Sequence, residues 1–548
     1  SNSIAVEGSE EERAGESSNR TDILYGVTDK PPWPLAILLG FQHYLTAFGS
    51  TLSVPLVLSV PLCMSDDKVG LGELIATTFF VSGIATLLQT SLGIRLPIIQ
   101  GVTFSFLAPT AAILNLPKWA CPQKNITGEA WVKLSWLQGA ICIASLFQIV
   151  IGASGLMSII LRYVGPLTIT PTITLIGLSL FEVAAAKAAT QWWIAATTLV
   201  LIALFCQYLK SVNIPLPVYS GTNKCSTLKL PIFKLFPILL AMLLSWLLCF
   251  ILTVTDCLPS TRGSWGYEAR TDVRASVLRD SSWIRIPYPG QWGLPTVSPG
   301  AVFGMLAGIL ASILESVGDY YACARLSGAP PPPPSAVNRG IAFEGIGCLI
   351  AGIIGTGNGT TSYSENVGAI GITKVCSCFF LSMSCIISLF LNSIFVTGMI
   401  TSVGLSNLQF VDLKSSRNLF VLAFSIFVGL CFPNWMAKNQ DVINTGNETV
   451  DQMATVLCST SMFIGGLIGF LLDITLPGTL EERGIIKWKR DGAEIPPKSD
   501  LDPEKLKTTT YTNDYHDPIY DFPFKLKCLK SRCCKYNPIC RNDNYSLD

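Results

Sequence analysis

Between Glu344 and Lys374 the chain reads EGIGCLIAGIIGTGNGTTSYSENVGAIGITK, an apolar run that turns into Gly, Ser, Thr and Asn around the carboxylate Glu365 and then becomes apolar again. In hydrocarbon, non-helical backbone is tolerated only where protein buries it or where it lines a cavity. The segment is therefore expected to be a broken helix around a ligand.

Composition matters here because it says whether hydrocarbon is the right solvent. Half of the residues are hydrophobic, 14% are charged and mean hydropathy is +0.47, against roughly 25% charged residues in an ordinary soluble domain. The charges gather in the first 30 residues, in 257–297 and beyond 480. A net charge of +1 gives no footing for nucleic acid, and two histidines exclude a His-rich metal site. Residues 1–30 read as a disordered cytoplasmic leader and 481–548 as a cytoplasmic tail.

A membrane span needs roughly 20 mostly apolar residues, fewer where it is broken. Thirteen candidates follow: 34–62, 71–93, 96–116, 134–160, 164–187, 191–210, 231–256, 298–323, 340–355, 356–373, 376–404, 418–433 and 453–476. The third, LPIIQGVTFSFLAPTAAILNL, and the tenth, 356–373, are both interrupted by polar or helix-breaking residues. They lie about 260 residues apart, as do the first span and the one opening at Ser298, and matched interruptions in two halves point to an inverted-repeat transporter. The expected class is an all-α polytopic membrane protein, with a first repeat over 31–256, an extracellular loop over 257–297 and a second repeat over 298–480. The site is expected where the two broken segments meet.

Short-loop Lys and Arg set the orientation. With the N-terminus cytoplasmic, Arg95, Arg162, Lys210, Arg325, Arg339, Lys374, Lys414 and Arg417 fall inside, and the sequons at Asn125 and Asn447 face out. One conflict remains. Lys374 and Lys414 require an even number of crossings between them, yet 376–404 is shorter than the 34 to 40 residues that two conventional helices need. Cysteine usage suggests no disulfide scaffold, and Cys528, Cys533, Cys534 and Cys540 lack metal-site spacing. No nucleophile and base occur at usable spacing, which argues against an enzyme.

Chemistry concentrates in few groups. Glu315 and Asp319 sit at i and i+4 on one face of a helix with no other charge until Arg325. Ionisable groups at such depth face the bundle interior or a water-filled cavity, either as ligand-binding groups or as a structural pair satisfied by neighbours. Glu365 and Asn366 open the half-helix after the Gly-rich break, where freed backbone N–H groups can hold a ligand carbonyl; the alternative is a cap. Gly355, Gly357, Gly359 and Gly368 serve backbone geometry and close packing. In the first span Gln42 and His43 are read as organising the site, since a lone buried imidazole is usually a hydrogen-bonded structural group. Thr103, Phe104 and Ser105 precede the break at Pro109, and the Phe104 ring could stack on a planar ligand. Pro330–Pro334 reads as a rigid spacer, with a docking site the alternative.

At GFQHYLTAFG, YVGPLTITPTITLIGLS, WIRIPYPGQWGLP, ESVGDYYACARLSGAPPPP, GTGNGTTSYSENVGAIGITK and TSVGLSNLQFVDLKSSRNLF the chain resembles the nucleobase-ascorbate transporter family, its vertebrate sodium-dependent vitamin C branch above all. The resemblance covers about residues 30–490, and the family signature of Asn-x-Gly followed by Thr and a basic residue stands here as Asn366, Gly368, Thr373 and Lys374. It implies fourteen segments in two inverted repeats of seven, a substrate-carrying core moving against a gate in an elevator motion, and a homodimer in the plasma membrane. It also implies sodium as the coupling ion, with no other cofactor; proton coupling through Glu315 is the competing mechanism. Carried over by motif, Glu315 matches the substrate-binding glutamate, Asp319 its neighbouring acid and candidate sodium ligand, and Glu365 the variable position before the signature Asn.

That variable position bears on the substrate. Vitamin C carriers of the family have Pro there, nucleobase carriers Gln or Glu. Ascorbate is an anion at neutral pH, and two like charges ~5 Å apart at an effective dielectric of ~20 repel by about 3 kcal/mol, on the order of a hundredfold in affinity. A nucleobase such as uracil is favoured. The departure from the family lies between Thr373 and Ser402, where about twenty residues of a helix pair are missing, so an inactive variant is the competing expectation.

Overall fold

The computed structural model describes residues 33–59, 61–64, 67–114, 127–163, 165–179, 191–218, 226–230, 232–235, 237–261, 263–272, 286–373, 415–439, 442–479, 482–484 and 518–521, with a few isolated positions between. The shortened stretch 376–404, the leader 1–26, Asn125 and the tail cysteines lie outside them.

The first half runs α1 (Trp33–Leu58), α2 (Lys68–Ser91), β1 (Gln100–Val102), a 3-10 turn (Phe104–Phe106), α3 (Leu107–Leu114), α4 (Thr127–Ser154), α5 (Leu156–Tyr163), α6 (Pro166–Ser179), α7 (Trp192–Ala203), a β2–β3 hairpin (Ile214–Val218, Ser226–Leu230), α8 (Ile232–Leu235) and α9 (Pro237–Val254). The second runs α10 (Pro299–Leu326), α11 (Pro334–Ile354), β4 (Thr360–Ser362), α12 (Ser364–Thr373), α13 (Ser416–Lys438), α14 (Glu448–Cys458) and α15 (Ser461–Thr475). Five helices among the described residues are long and apolar enough to cross a membrane: those within α2, α4, α10, α11 and α13. Large apolar side chains point outward, as lipid-facing ones do, including Trp193 on α7, Trp246 on α9 and Phe427 on α13.

Local chemistry fixes the element ends. Asp67 caps α2 by accepting from Gly70 N at 2.8 Å. Pro299 and Pro334 stand at the first positions of α10 and α11, where the missing N–H costs nothing. The proline run thus ends as a helix start, and Arg339, expected in a loop, is buried within α11. Gly355 closes α11 with φ +94°, a left-handed cap that favours glycine.

Two packing groups share α10. In the first, α4 and α11 run side by side, and an added Cβ on Gly345 would stand 2.9 Å from Ile149 N, so the helices meet backbone to backbone. In the second, α6, α13 and α15 close around Leu175, which a Cβ on Gly465 would meet at 2.0 Å. The span expected over 453–476 is two helices, α14 and α15, parted at Ser459–Thr460. Cys63, after α1, is disulfide-bonded, which the scattered cysteine spacing did not suggest.

Candidate functional site

The two interrupted segments meet in the first packing group. β1 pairs antiparallel with β4, Gln100 opposite Ser362, Gly101 opposite Thr361 and Val102 opposite Thr360. A Cβ on Gly101 would come within 2.2 Å of the Tyr363 ring, so any larger residue must push that ring aside. Each strand is three residues long, and its remaining backbone groups need partners inside the bundle. Neighbouring helices supply them. Gln100 N donates to Thr86 Oγ1 at 2.8 Å, and Gln100 O accepts from Thr86 Oγ1 at 3.0 Å and from Ser82 Oγ. Thr360 N donates to Cys348 Sγ at 3.2 Å. After the strands, the 3-10 turn with α3 and the helix α12 begin as half-helices.

Four carboxylates surround this crossing, all buried: Glu315, Asp319, Glu344 and Glu365. Glu315 Oε2 accepts from Ser105 Oγ at 2.8 Å. Asp319 accepts from Ser362 Oγ at 2.7 Å and from Ser364 Oγ at 2.9 Å. Glu365 Oε1 accepts from Ser50 Oγ of α1 at 2.5 Å. Glu344 takes the most donors: Gln148 Nε2 at 2.9 Å, Ser312 Oγ at 3.1 Å, Tyr320 OH at 3.1 Å and Ser316 Oγ. Ser316 Oγ also stands 3.1 Å from Ser362 Oγ and 3.0 Å from Thr361 Oγ1, so hydroxyls link Glu344 to Asp319 across β4. Glu315 is within electrostatic range of the other three acids. Every partner found for them among the described residues is neutral.

The residues singled out from sequence are brought together here. Glu315 and Asp319 come from α10, Glu365 and Asn366 from α12, and Thr103, Phe104 and Ser105 from the link between β1 and α3. Thr103 Oγ1 caps the 3-10 turn by accepting from Ser105 N at 3.0 Å. Phe104 is buried at 6% exposure. His43 is buried in α1, and Asn366 Nδ2 donates to its carbonyl at 2.9 Å and lies 3.3 Å from its Nδ1. The side chain of Gln42 falls outside the described residues. Among the described residues Asn366 Oδ1 is buried without a partner, as are both side-chain amide atoms of Gln100 and of Asn358. A buried acceptor left open is costly unless a ligand or water meets it. No cluster of three or more His, Cys, Asp and Glu suited to a metal ion occurs among the described residues.

The Xan_ur_permease model, described as a permease family, matches residues 35–394 and 392–438. The chain belongs to this permease family. It is 48% identical to mouse solute carrier family 23 member 1, over 95% of this chain and 89% of that protein. Rat solute carrier family 23 member 2 is 49% identical over 95% of this chain and 82% of its own length. Nucleobase-ascorbate transporter 8 of Arabidopsis thaliana is 33% identical over 86% and 90%. Among solved structures, the transmembrane domain of the cyanobacterium bicarbonate transporter BicA covers 81% of this chain and 99% of its own at 13% identity and a TM-score of 0.42, a likeness too slight to argue from.

Membership makes this permease a multi-pass membrane transporter of small molecules and not an enzyme. The family match parts at 392–394, inside the stretch read as shortened. The alignment with the mouse protein extends over 551 positions although the chain has 548 residues and 95% of it is covered. The relative therefore carries residues that this chain lacks.

Sequence reasoning missed Glu344, although the rule that singles out Glu315 applies to it: a carboxylate amid an apolar run. It also missed Gln291 and Trp292 within WIRIPYPGQWGLP. Trp292 Nε1 donates to Gly355 O at 2.8 Å, and Gln291 Nε2 to Ile354 O at 3.0 Å and to Thr77 Oγ1 at 2.9 Å. Together they take up the carbonyls that the end of α11 leaves open. No periodic signal marks such loop residues.

Proposed function

We propose that this permease imports a nucleobase such as uracil by sodium symport. The single observation that carries the reading is Glu365 buried within electrostatic range of Glu315, each following or facing one of the two interrupted segments, with Ser50 and Ser105 as their hydroxyl partners. Two acids there, beside the open acceptor Asn366 Oδ1 and the N–H groups of two half-helices, suit a neutral ring with alternating N–H donors and carbonyls. An anion such as ascorbate meets repulsion. Glu315, Glu365 and Asn366 bind the base, Thr103 and Ser105 shape the link beside it, Phe104 stacks on it, and Gln42 and His43 organise the site, His43 through its carbonyl on Asn366 Nδ2.

Sodium is cargo in this scheme. Asp319, with Ser362 and Ser364 around it, offers the oxygen ligands a hard cation prefers. The bundle around β1 and β4 acts as the moving core, the group of α6, α13 and α15 belongs to the gate, and the two halves are inverted repeats in an elevator-type homodimer. The disulfide at Cys63 supports a plasma-membrane orientation with the N-terminus cytoplasmic, because it puts the α1–α2 loop on the oxidising side. Asn447, exposed before α14, then faces out as a glycan acceptor.

Ascorbate is the second reading, since nucleobase-ascorbate transporters are among the relatives. Glu365→Pro separates the two. The expected outcome is loss of uracil uptake with gain of ascorbate uptake, measured with labelled substrates; unchanged uracil uptake with no ascorbate gain removes the substrate argument.

A further inference from the structure

Residues 518–521 lie 34 positions beyond Arg483–Gly484, the preceding described residues, and they pack on the first bundle. Tyr520 is 4% exposed and Ile519 packs against the main hydrophobic cluster. Three grips hold the segment. Arg339 Nη2 donates to Tyr520 O at 2.7 Å while its Nε donates to Gly93 O at 2.7 Å. Arg95, with φ +63°, donates from Nη1 to Asp521 O. Tyr520 OH donates to Pro330 O at 2.5 Å.

These anchors are not scattered. Arg95 lies in the connection from α2 to β1, Pro330 in the connection from α10 to α11, and Arg339 in the first turns of α11. The two connections and the helix start adjoin β1, the helix of Glu315 and Asp319, and the helix of Glu344. We propose that the segment Pro518–Asp521 is an intramolecular latch, seated on a docking surface made by Arg95, Pro330 and Arg339, that joins the ends of the site-bearing segments into one body. The proline run is a receiving surface as well as a spacer. The occupant is the chain's own tail, and the match is chemical. Two guanidinium groups recognise consecutive backbone carbonyls, and the buried Tyr520 phenol sets its hydroxyl on a third carbonyl. Tethering makes docking intramolecular, at an effective concentration of up to about the millimolar range, so modest affinity keeps the latch shut. Nothing in this rests on the identity of the cargo.

The test uses full-length protein in nanodiscs, labelled with phenylglyoxal and read by peptide mass spectrometry at each arginine. In the unaltered chain Arg339 and Arg95 are expected to label slowly, and Tyr520→Ala is expected to raise both rates on the order of tenfold through local opening. Tyr515→Ala serves as the control within the same tail and is expected to change neither. Arg417, held elsewhere by Asp473, reports bundle integrity and stays constant. Equal labelling of Arg95 and Arg339 in the unaltered and Tyr520→Ala proteins overturns the latch, whether both are protected or both open. Uptake is not part of the readout, so failure here leaves the transport reading standing, and failure of uptake leaves the latch standing.

Discussion

Two groups of buried acids in this molecule are treated in opposite ways. Asp473, on α15, is fully buried and clamped by Arg417 Nη2 at 3.0 Å and Arg483 Nη2 at 2.9 Å. Glu315, Asp319, Glu344 and Glu365 are as deeply buried, yet the partners found for them are hydroxyls, one amide and a phenol. A buried charge costs several kcal/mol unless it is matched. Where the fold wants an acid for structure, it supplies the cation itself. Around the crossed strands the described partners supply orientation and no charge, and in the proposed function the N–H donors or positive charge that complete the match come from the cargo.

The sharpest way to break this comparison is to neutralise one acid from each group. Asp473→Asn leaves two guanidinium groups against a neutral amide, a loss of about 3 to 5 kcal/mol by the cost of breaking a buried pair. The amount of folded protein at the surface should fall severely while uptake per surface molecule persists. Glu315→Gln keeps a hydrogen-bonding side chain beside Ser105, so surface amount should hold while binding falls about a hundredfold or more. Surface biotinylation with radioligand binding measures both. If the two variants fail in the same way, the distinction between structural and cargo-facing acids is lost.

Glu344 tests the boundary between the classes. Glu344→Gln can no longer accept from all four donors, and loss of one or two such bonds predicts about a tenfold drop in transport rate. Its surface amount should stay normal, and a rate equal to the unaltered protein's would make Glu344 a spectator.

A smaller, geometric effect is expected at the strand crossing. In Gly101→Ala the new Cβ must displace the Tyr363 ring, which should weaken substrate affinity several-fold with little change in the ion dependence; a shift in sodium dependence alone would contradict the assignment of the crossing to the substrate. The mildest expectation belongs to Ser364→Ala. It removes one of two hydroxyls on Asp319 and should raise the half-saturating sodium concentration a few-fold at unchanged surface amount, as read from sodium titrations of uptake.

What was legible in the sequence follows from what leaves a pattern. Long apolar runs gave the helices, and the two interruptions pointed to the segments that pair as β1 and β4, because Gly, Ser, Thr and Asn inside hydrocarbon need an explanation. Glu365, Asn366 and Ser105 were reachable from that argument, and Glu315 and Asp319 from the cost of a carboxylate inside an apolar helix. The pairing of Gln100–Val102 with Thr360–Ser362 was not, since three residues are too few to show a period of two. The break at Ser459–Thr460 was hidden because Ser and Thr are tolerated within helices. The tail at Pro518–Asp521 has no periodicity at all, and its place depends on Arg339, a residue the charge rule had put in a loop.

The most direct test of the central claim is uptake of labelled uracil and labelled ascorbate, with and without sodium, in cells where surface expression is verified. Sodium-dependent uracil uptake that Glu315→Gln abolishes is the predicted result. Ascorbate uptake in its place, or no uptake of either by protein present at the surface, would contradict it; the second outcome would turn attention to the stretch between Thr373 and Ser402, expected from sequence to be shortened.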